Sequence, residues 1–251
     1  MLCEKVKVTK ISYRESHKYK EKGAEYEAYY QNKAWQRFLW SREQEILIKI
    51  LEKYFAGKEV NLLDFACGTG RIAEFLENRV KTSTGVDLSG SMLAVAMEKL
   101  KRTEIIEADI TVENILKQRK FNLITAFRFF LNAEPELRSE AIKAIAELLD
   151  DNGYLVFNNH QNSNSPWVRL RYAHYRKKNP EGIYNVMSIE QMKNLVEEAG
   201  LEIIEIYPVG FFHPPKIPVP FCLSHAIDWA ASNFRFMNKL PENLIAVCRR
   251  K

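Results

Sequence analysis

Two spacings of apolar residues alternate along most of this chain. Short runs rich in Val, Ile, Leu and Phe fall near 60–66, 83–87, 104–108, 121–127, 153–159, 202–208 and 244–250, and each reads as a strand. Between them, apolar residues recur every three or four positions near 70–79, 90–101, 112–118, 135–150 and 188–199, which predicts helices. An earlier helix is predicted where Phe38, Leu39, Arg42, Ile46, Leu47, Ile50 and Tyr54 share a face that ends before Gly57. Another begins at Ser165-Pro166-Trp167 and runs through Arg176. Pro135 suits a first helical position, and Asn152-Gly153 is expected to close that helix. Ser188-Ile189-Glu190-Gln191 has the form of a capping box, with Gly200 as the stop. Strand and helix in turn imply parallel strands, right-handed crossovers and helices on both faces of one sheet. The last two strands lack a crossover helix of the usual kind. Residues 211–241 between them hold five of the nine prolines and the apolar stretch Phe221 to Phe236.

Composition narrows the class without naming it. With 46% hydrophobic and 27% charged residues over 251 positions, one α/β domain with insertions is the simplest account. The net charge of +5 is too weak to imply nucleic acid, but it is uneven. Residues 1–22 hold seven Lys/Arg against three Glu, and 169–178 hold five Lys/Arg with no acid. Cys3, Cys67, Cys222 and Cys248 are far apart with no metal-ligand spacing, so neither a disulfide framework nor a metal site is expected. The early charges are not those of a signal peptide, and no apolar run approaches the ~18 residues of a membrane span. A reduced, cytoplasmic setting is the expectation.

The chemistry concentrates in Asp64-Phe65-Ala66-Cys67-Gly68-Thr69-Gly70, where an apolar strand passes through a small-residue turn into a helix. Such a turn lets a ligand touch the backbone at the positive end of the helix. Three acids follow in step. Asp64 ends the first strand, Asp87 the second and Asp109 the third, one βα unit apart. Parallel neighbours bring all three carboxylates to one edge of the sheet, where ligands bind. A carboxylate at the second position can accept both ribose hydroxyls, and one at the third can accept an adenine amino group.

These residues resemble the motifs of class I S-adenosylmethionine-dependent methyltransferases, with Ala66 where the family's first motif has a glycine. The resemblance implies a Rossmann-like α/β fold, with seven mostly parallel strands, the last antiparallel, and S-adenosylmethionine as cofactor. Residues 1–56 are then an N-terminal helical cap. Residues 57–251 are the methyltransferase domain, with substrate-side insertions at 161–186 and 211–241. The implied cofactor-binding residues are Asp64, Ala66, Cys67, Gly68, Gly70, Asp87, Leu88, Met92, Asp109, Ile110 and Phe127, with Leu88 packing on the adenine and the Ile110 N–H beside it. Tyr29 and Arg42 are expected at the methionine carboxylate. Gly68-Thr69-Gly70-Arg71-Ile72-Ala73 also satisfies a nicotinamide-type Gly-x-Gly-x-x-Ala pattern. Against that reading stand Asp64, Asp109 and the lack of a second nucleotide half.

The acceptor side is less legible. The segment Ala126 to Asn132 should flank the transferred methyl group, and it lacks the Asp/Asn-Pro-Pro-aromatic signature of amino-methylating DNA enzymes. Arg128 and Asn132 there, Trp167 and Arg171 on the basic-aromatic helix, and His213 are the expected acceptor contacts. His160 is the candidate general base, by its place after the fifth strand and its near-neutral pKa. A structural histidine is the competing reading. The leading expectation is methylation of an O or N of a small molecule. An RNA methyltransferase using the basic-aromatic segment at 167–178 is the second. A non-catalytic cofactor-binding sensor or scaffold is the third. Phe221–Phe236 suits an oligomer interface as well as a pocket roof.

Overall fold

A computed structural model describes residues 12–16, 23, 27–28, 32–113, 115–180, 184–211, 221–232, 234, 237 and 239–251. The expectations at Tyr29 and His213 fall outside them. The described elements, in chain order, are α1 (Tyr13–Ser16), α2 (Ala34–Phe55), β1 (Asn61–Phe65), α3 (Arg71–Leu76), β2 (Thr82–Asp87), α4 (Gly90–Lys99), β3 (Thr103–Glu107) and β4 (Phe121–Ala126). They continue with α5 (Pro135–Leu148), β5 (Leu149–Asn159), α6 (Pro166–Lys178), α7 (Ile189–Glu197), β6 (Leu201–Val209), α8 (Phe221–Ser232) and β7 (Asn243–Arg250).

All seven strands join one sheet in the order β3-β2-β1-β4-β5-β7-β6. Strands β1 to β5 pair in parallel, and β7 runs antiparallel between β5 and β6. The chain winds outward from β1 in one direction and then returns to the other side at β4. That reversal opens a crevice beyond the carboxyl ends of β1 and β4.

The central strands are buried on both faces, which is why they read as continuous apolar runs. One face carries Leu63, Ile124, Leu155, Phe157 and Ala246, covered by Leu137, Ala141 and Ile145 of α5 and by Met192 and Val196 of α7. The other carries Leu62, Leu123, Val156 and Val247, covered by Phe38, Leu39, Ile46 and Ile50 of α2 and Ile72 of α3. Ser188 and Gln191 form the expected capping box at α7.

Two sequence expectations are corrected. Residues 112–118 form turns, not a helix, across the residues described there. Val112 is 77% and Ile115 54% exposed, so their helical spacing marks no buried stripe. Asp109 also draws Thr111 N onto its carboxylate, which favours a turn. Asn152 and Gly153 do not close a helix. Helix α5 ends at Leu148, and both residues lie inside the longer β5.

Candidate active site

The turn after β1 is built by the backbone. Ala66, Gly68 and Gly70 all take positive φ, 53°, 56° and 77°. Gly70 is the N-cap of α3, and a Cβ there would stand 2.8 Å from Leu100 Cδ1. Only glycine fits both the backbone and the space. Ala66 tolerates the left-handed conformation at a cost of roughly 1 kcal/mol.

Asp64 lies beneath this turn, 1% exposed. Its Oδ1 accepts from Thr125 Oγ1 at 2.7 Å and its Oδ2 from Ala73 N at 3.2 Å, tying β1, β4 and α3 together. Burial pushes its pKa up to about 7, although Thr125, Ala73 and Arg71 all favour the ionised form. Folding therefore favours the protonated acid. The stability this contributes is complete below about pH 4 and is lost as pH rises toward about 7. Asp64→Asn should thus gain on the wild type between pH 4 and 8, by on the order of 4 kcal/mol, read as the pH dependence of urea midpoints.

Asp87 is held from below by backbone donors. Its Oδ2 accepts from Gly68 N and its Oδ1 from Ser89 N, both at 2.8 Å. Asp109 accepts from Thr111 and from Arg14 Nε at 2.6 Å, and these contacts hold its carboxyl below the usual range despite partial burial. Arg14 reaches on to Glu140, while Tyr13 N donates to Glu134 and the Tyr13 ring packs edge-on against Phe129. Helix α1 thereby covers the edge of the sheet at Asp87 and Asp109.

Two joined compartments result. The first is a slot with Phe65, Val86, Leu88, Ile110, Phe129 and Leu137 as apolar walls and Asp87 and Asp109 at its rim. The second is polar and runs along Asp64, Cys67, Gly68, Thr69, Met92, Phe127, Asn132, Arg71 and Arg128. Tyr13, Ala66 and Asp87 border both. A flat base fits the first, a diol fits Asp87, and a zwitterionic tail fits the cationic end of the second. These residues suit an adenosyl amino acid.

At the polar end lies Glu43 of α2, 2% exposed. One oxygen accepts from Arg71 Nη1 at 2.6 Å, and the other lies 3.5 Å from both Arg128 Nη2 and Asn158 Nδ2. Arg128 has φ 61° and donates its backbone N–H to Asn158 Oδ1, so the loop after β4 is pinned to β5. Trp40 stacks under the Arg71 guanidinium at 4.3 Å.

Of the residues expected from sequence, Asp64, Ala66, Cys67, Gly68, Asp87, Leu88, Met92, Asp109, Ile110, Phe127, Arg128 and Asn132 converge on these compartments. Gly70 lines neither compartment and instead caps α3, and Arg42 lies away from both. It faces α8 instead, bonding Asp228 Oδ2 at 3.2 Å and Glu45. Asp228 also accepts from Gly210 N and Phe211 N, so Arg42 fastens α2 to α8. Its place at the tail is taken by Arg71, which sequence reasoning missed along with Tyr13, Arg14 and Glu43. The signal for Arg71 was its position one residue past the Gly-rich turn.

Trp167 and Arg171 line a separate open groove of about 590 Å³, with Leu170, His174, Tyr175 and Tyr184. Arg171 pairs with Glu242 at 2.6 Å. His160 lies beyond the polar compartment, where burial and the nearby Arg128 hold its pKa well below 6.5. Its imidazole is neutral at neutral pH.

The sequence model described as a methyltransferase domain matches residues 39–206, and the chain belongs to that family, the class I S-adenosylmethionine-dependent methyltransferases. The donor used by that class is S-adenosylmethionine. Among curated relatives, the malonyl-acyl-carrier-protein O-methyltransferase of Priestia megaterium is 27% identical over 70% of this chain and 65% of its own length. The ubiquinone/menaquinone biosynthesis C-methyltransferase of Campylobacter jejuni is 28% identical over 49% of this chain and 51% of its own. The chain spans about half to two thirds of the length of the curated relatives it matches. Among solved structures, a methyltransferase of Thermotoga maritima aligns with a TM-score of 0.65 at 19% identity, covering 91% of this chain and 95% of that one. The magnesium protoporphyrin IX methyltransferase of Synechocystis, with bound S-adenosylhomocysteine, aligns at 0.62 and 12% identity over 92% and 96%. At these identities the likeness is one of fold. Among the described residues no helix is long and apolar enough to cross a membrane, and no group of His, Cys and acids could hold a metal.

Proposed function

We propose that this protein transfers the methyl group of S-adenosylmethionine to an O or N atom of a small molecule. The observation that carries the reading is the convergence of Asp64, Asp87 and Asp109 on a slot with an apolar base pocket at one end and two arginines at the other. Bound there, S-adenosylmethionine supplies an electrophilic methyl group on a sulfonium. Asp87 would hold the ribose hydroxyls and Asp109 the adenine amino group, with Leu88 packing on the base and the Ile110 N–H beside it. Arg71 and Arg128 would hold the carboxylate of the tail. Tyr13 and Arg14 close over the adenosyl part and keep water out. Alignment of this kind can supply roughly 7–11 kcal/mol of barrier reduction. The small-molecule reading is favoured over RNA because Arg171 is committed to Glu242, and Tyr172 and Tyr175 pack against Tyr184. Arg171 is thereby withdrawn from phosphates.

His160 is the proposed base. With the cofactor bound, its sulfonium would supply the methyl group, and the neutral His160 imidazole would take up the proton that the acceptor atom loses on methylation. His160→Ala should cut turnover by roughly 10²–10⁴ with cofactor affinity unchanged. Because the histidine is already neutral, turnover at saturating cofactor should stay flat between about pH 6 and 8. A rising limb near 6.5 would point to a different base. The broader reading is tested by incubating the protein with methyl-labelled cofactor and a panel of phenols, carboxylic acids, amines, carboxamides and lactams. Label transferred to one of them supports it. Transfer only to RNA, or cofactor binding with no transfer to any acceptor, would replace it with the RNA or the sensor reading.

A further inference from the structure

Beyond the polar compartment, at the carboxyl edge of β5, the molecule holds buried polar groups with no use in its own architecture. Asn243, the first residue of β7, is 3% exposed, and neither its Oδ1 nor its Nδ2 has a hydrogen-bond partner. His160 Nδ1 is equally inaccessible and equally unbonded. Both flank the last β5–β7 pair, Asn159 with Leu244: His160 is the next residue on one strand and Asn243 on the other, and the chain bends at His160 before Asn162 N returns to Glu242 O.

Asn243 faces the α2 side of the sheet, two residues before Ile245 and four before Val247, which pack there. His160 follows the end of β5, and the charge acting on it is Arg128, whose guanidinium lies 3.5 Å from Glu43 of α2. Asn243 lies beside Gly210, where a Cβ would stand 3.3 Å from its Nδ2 and 3.2 Å from the Trp35 ring. Gly210 has φ 79°, so a side chain there is strained by conformation and crowded by these two neighbours. Arg128 connects this spot to the donor compartment, because it lines that compartment and is also the charge acting on His160.

A buried side-chain amide almost always bonds at both ends, and one that does not calls for a specific explanation. Asn243 is the stronger case because it has four unmet bonding capacities side by side, two N–H donors and two lone pairs on its oxygen. We propose that Asn243 and His160 form the recognition site for the methyl acceptor. The acceptor they fit presents a hydrogen-bond donor and acceptor on one planar carbon, as a carboxamide or lactam does. Asn243 pairs with that edge in two parallel bonds, while His160 Nδ1 faces the atom that gains the methyl group. The inference rests on the methyltransferase reading above and goes beyond it by naming the acceptor's chemistry.

The test uses the full chain saturated with S-adenosylhomocysteine and two matched probe pairs, acetamide with acetone and benzamide with acetophenone. Each pair differs in the amide donor. The expected result is that the amide of at least one pair binds tenfold or more tightly than its ketone, and shifts the Asn243 side-chain NH₂ signals in nitrogen-15 spectra. Asn243→Leu should abolish that preference, leave S-adenosylhomocysteine affinity unchanged, and melt at the same temperature or higher. No amide preference in either pair overturns the proposal, as does a preference that survives in Asn243→Leu. A lower melting temperature in Asn243→Leu, with an ordered water bonded to Asn243 in the wild-type crystal with amide present, overturns it as well, since the amide would then serve a structural water. Failure of S-adenosylhomocysteine to bind the wild type would be a different result. It would remove the methyltransferase reading itself.

Discussion

Asp87→Ala weakens S-adenosylmethionine binding by about 100-fold in titration calorimetry, while the fold persists. The carboxylate is preset by Gly68 N and Ser89 N at 2.8 Å, at the wall shared by the two compartments. Two hydrogen bonds from ribose hydroxyls to a charged acceptor contribute about 1.5–3 kcal/mol each, and each 1.4 kcal/mol is a factor of ten in affinity. The substitution also releases the backbone donors of Gly68 and Ser89, and the volume the carboxylate vacates leaves room for a water to meet them. Asp87→Asn should fall between, because the amide oxygen accepts one of the two ribose bonds. Affinity unchanged in the alanine variant would remove the ribose assignment.

Glu43→Ala destabilises the protein by about 3–5 kcal/mol, measured as a lower urea midpoint. The effect is large because Glu43 offsets buried cations from two other elements. Arg71 on α3 and Arg128 after β4 are 14% and 13% exposed along their side chains, and both turn toward this one carboxylate. Removing it leaves buried positive charge beside the tail compartment. The same variant should regain stability when S-adenosylmethionine is added, because the cofactor's carboxylate offers those guanidiniums a partner and binding to the native state adds stability. A surface-like loss below 1 kcal/mol would mean the network is solvated, contrary to its burial.

How much of this was legible in the sequence depends on how local the determinant is. The three acids were readable because one βα unit sets their separation, and parallel pairing of β1, β2 and β3 converts that separation into shared position at a sheet edge. The Gly-rich turn was readable because its backbone requirement restricts residue type directly. The antiparallel final strand followed from the resemblance, and no crossover helix pattern contradicted it. The failures are tertiary. Arg42 and Glu43 are adjacent on α2, yet a step of about 100° around the helix sends one to α8 and the other to the sheet edge. Apolar periodicity gave the helix but not its rotation. Helix α1 has four residues, too short to carry a period, so Tyr13 and Arg14 could not be singled out. Residues 112–118 had the period and lacked a surface to pack on. Asn152-Gly153 has a helix-ending composition but sits inside a strand.

The same distinction applies to the acceptor site. Asn243 is one polar residue at the head of an apolar strand, and in sequence that is an ordinary strand boundary. Its unbonded amide became visible only with Gly210, Trp35 and His160 around it.

The central claim is that the slot between the acids and the arginines is an adenosyl amino acid site. The most direct measurement is a crystal structure of the protein grown with S-adenosylhomocysteine. The account predicts Asp87 bonded to both ribose hydroxyls, Asp109 at the adenine amino group, Leu88 and Ile110 against the base, and the tail carboxylate on Arg71 or Arg128. A ligand bound elsewhere, or lying in the slot with its base at the arginines and its tail at Asp109, would contradict it.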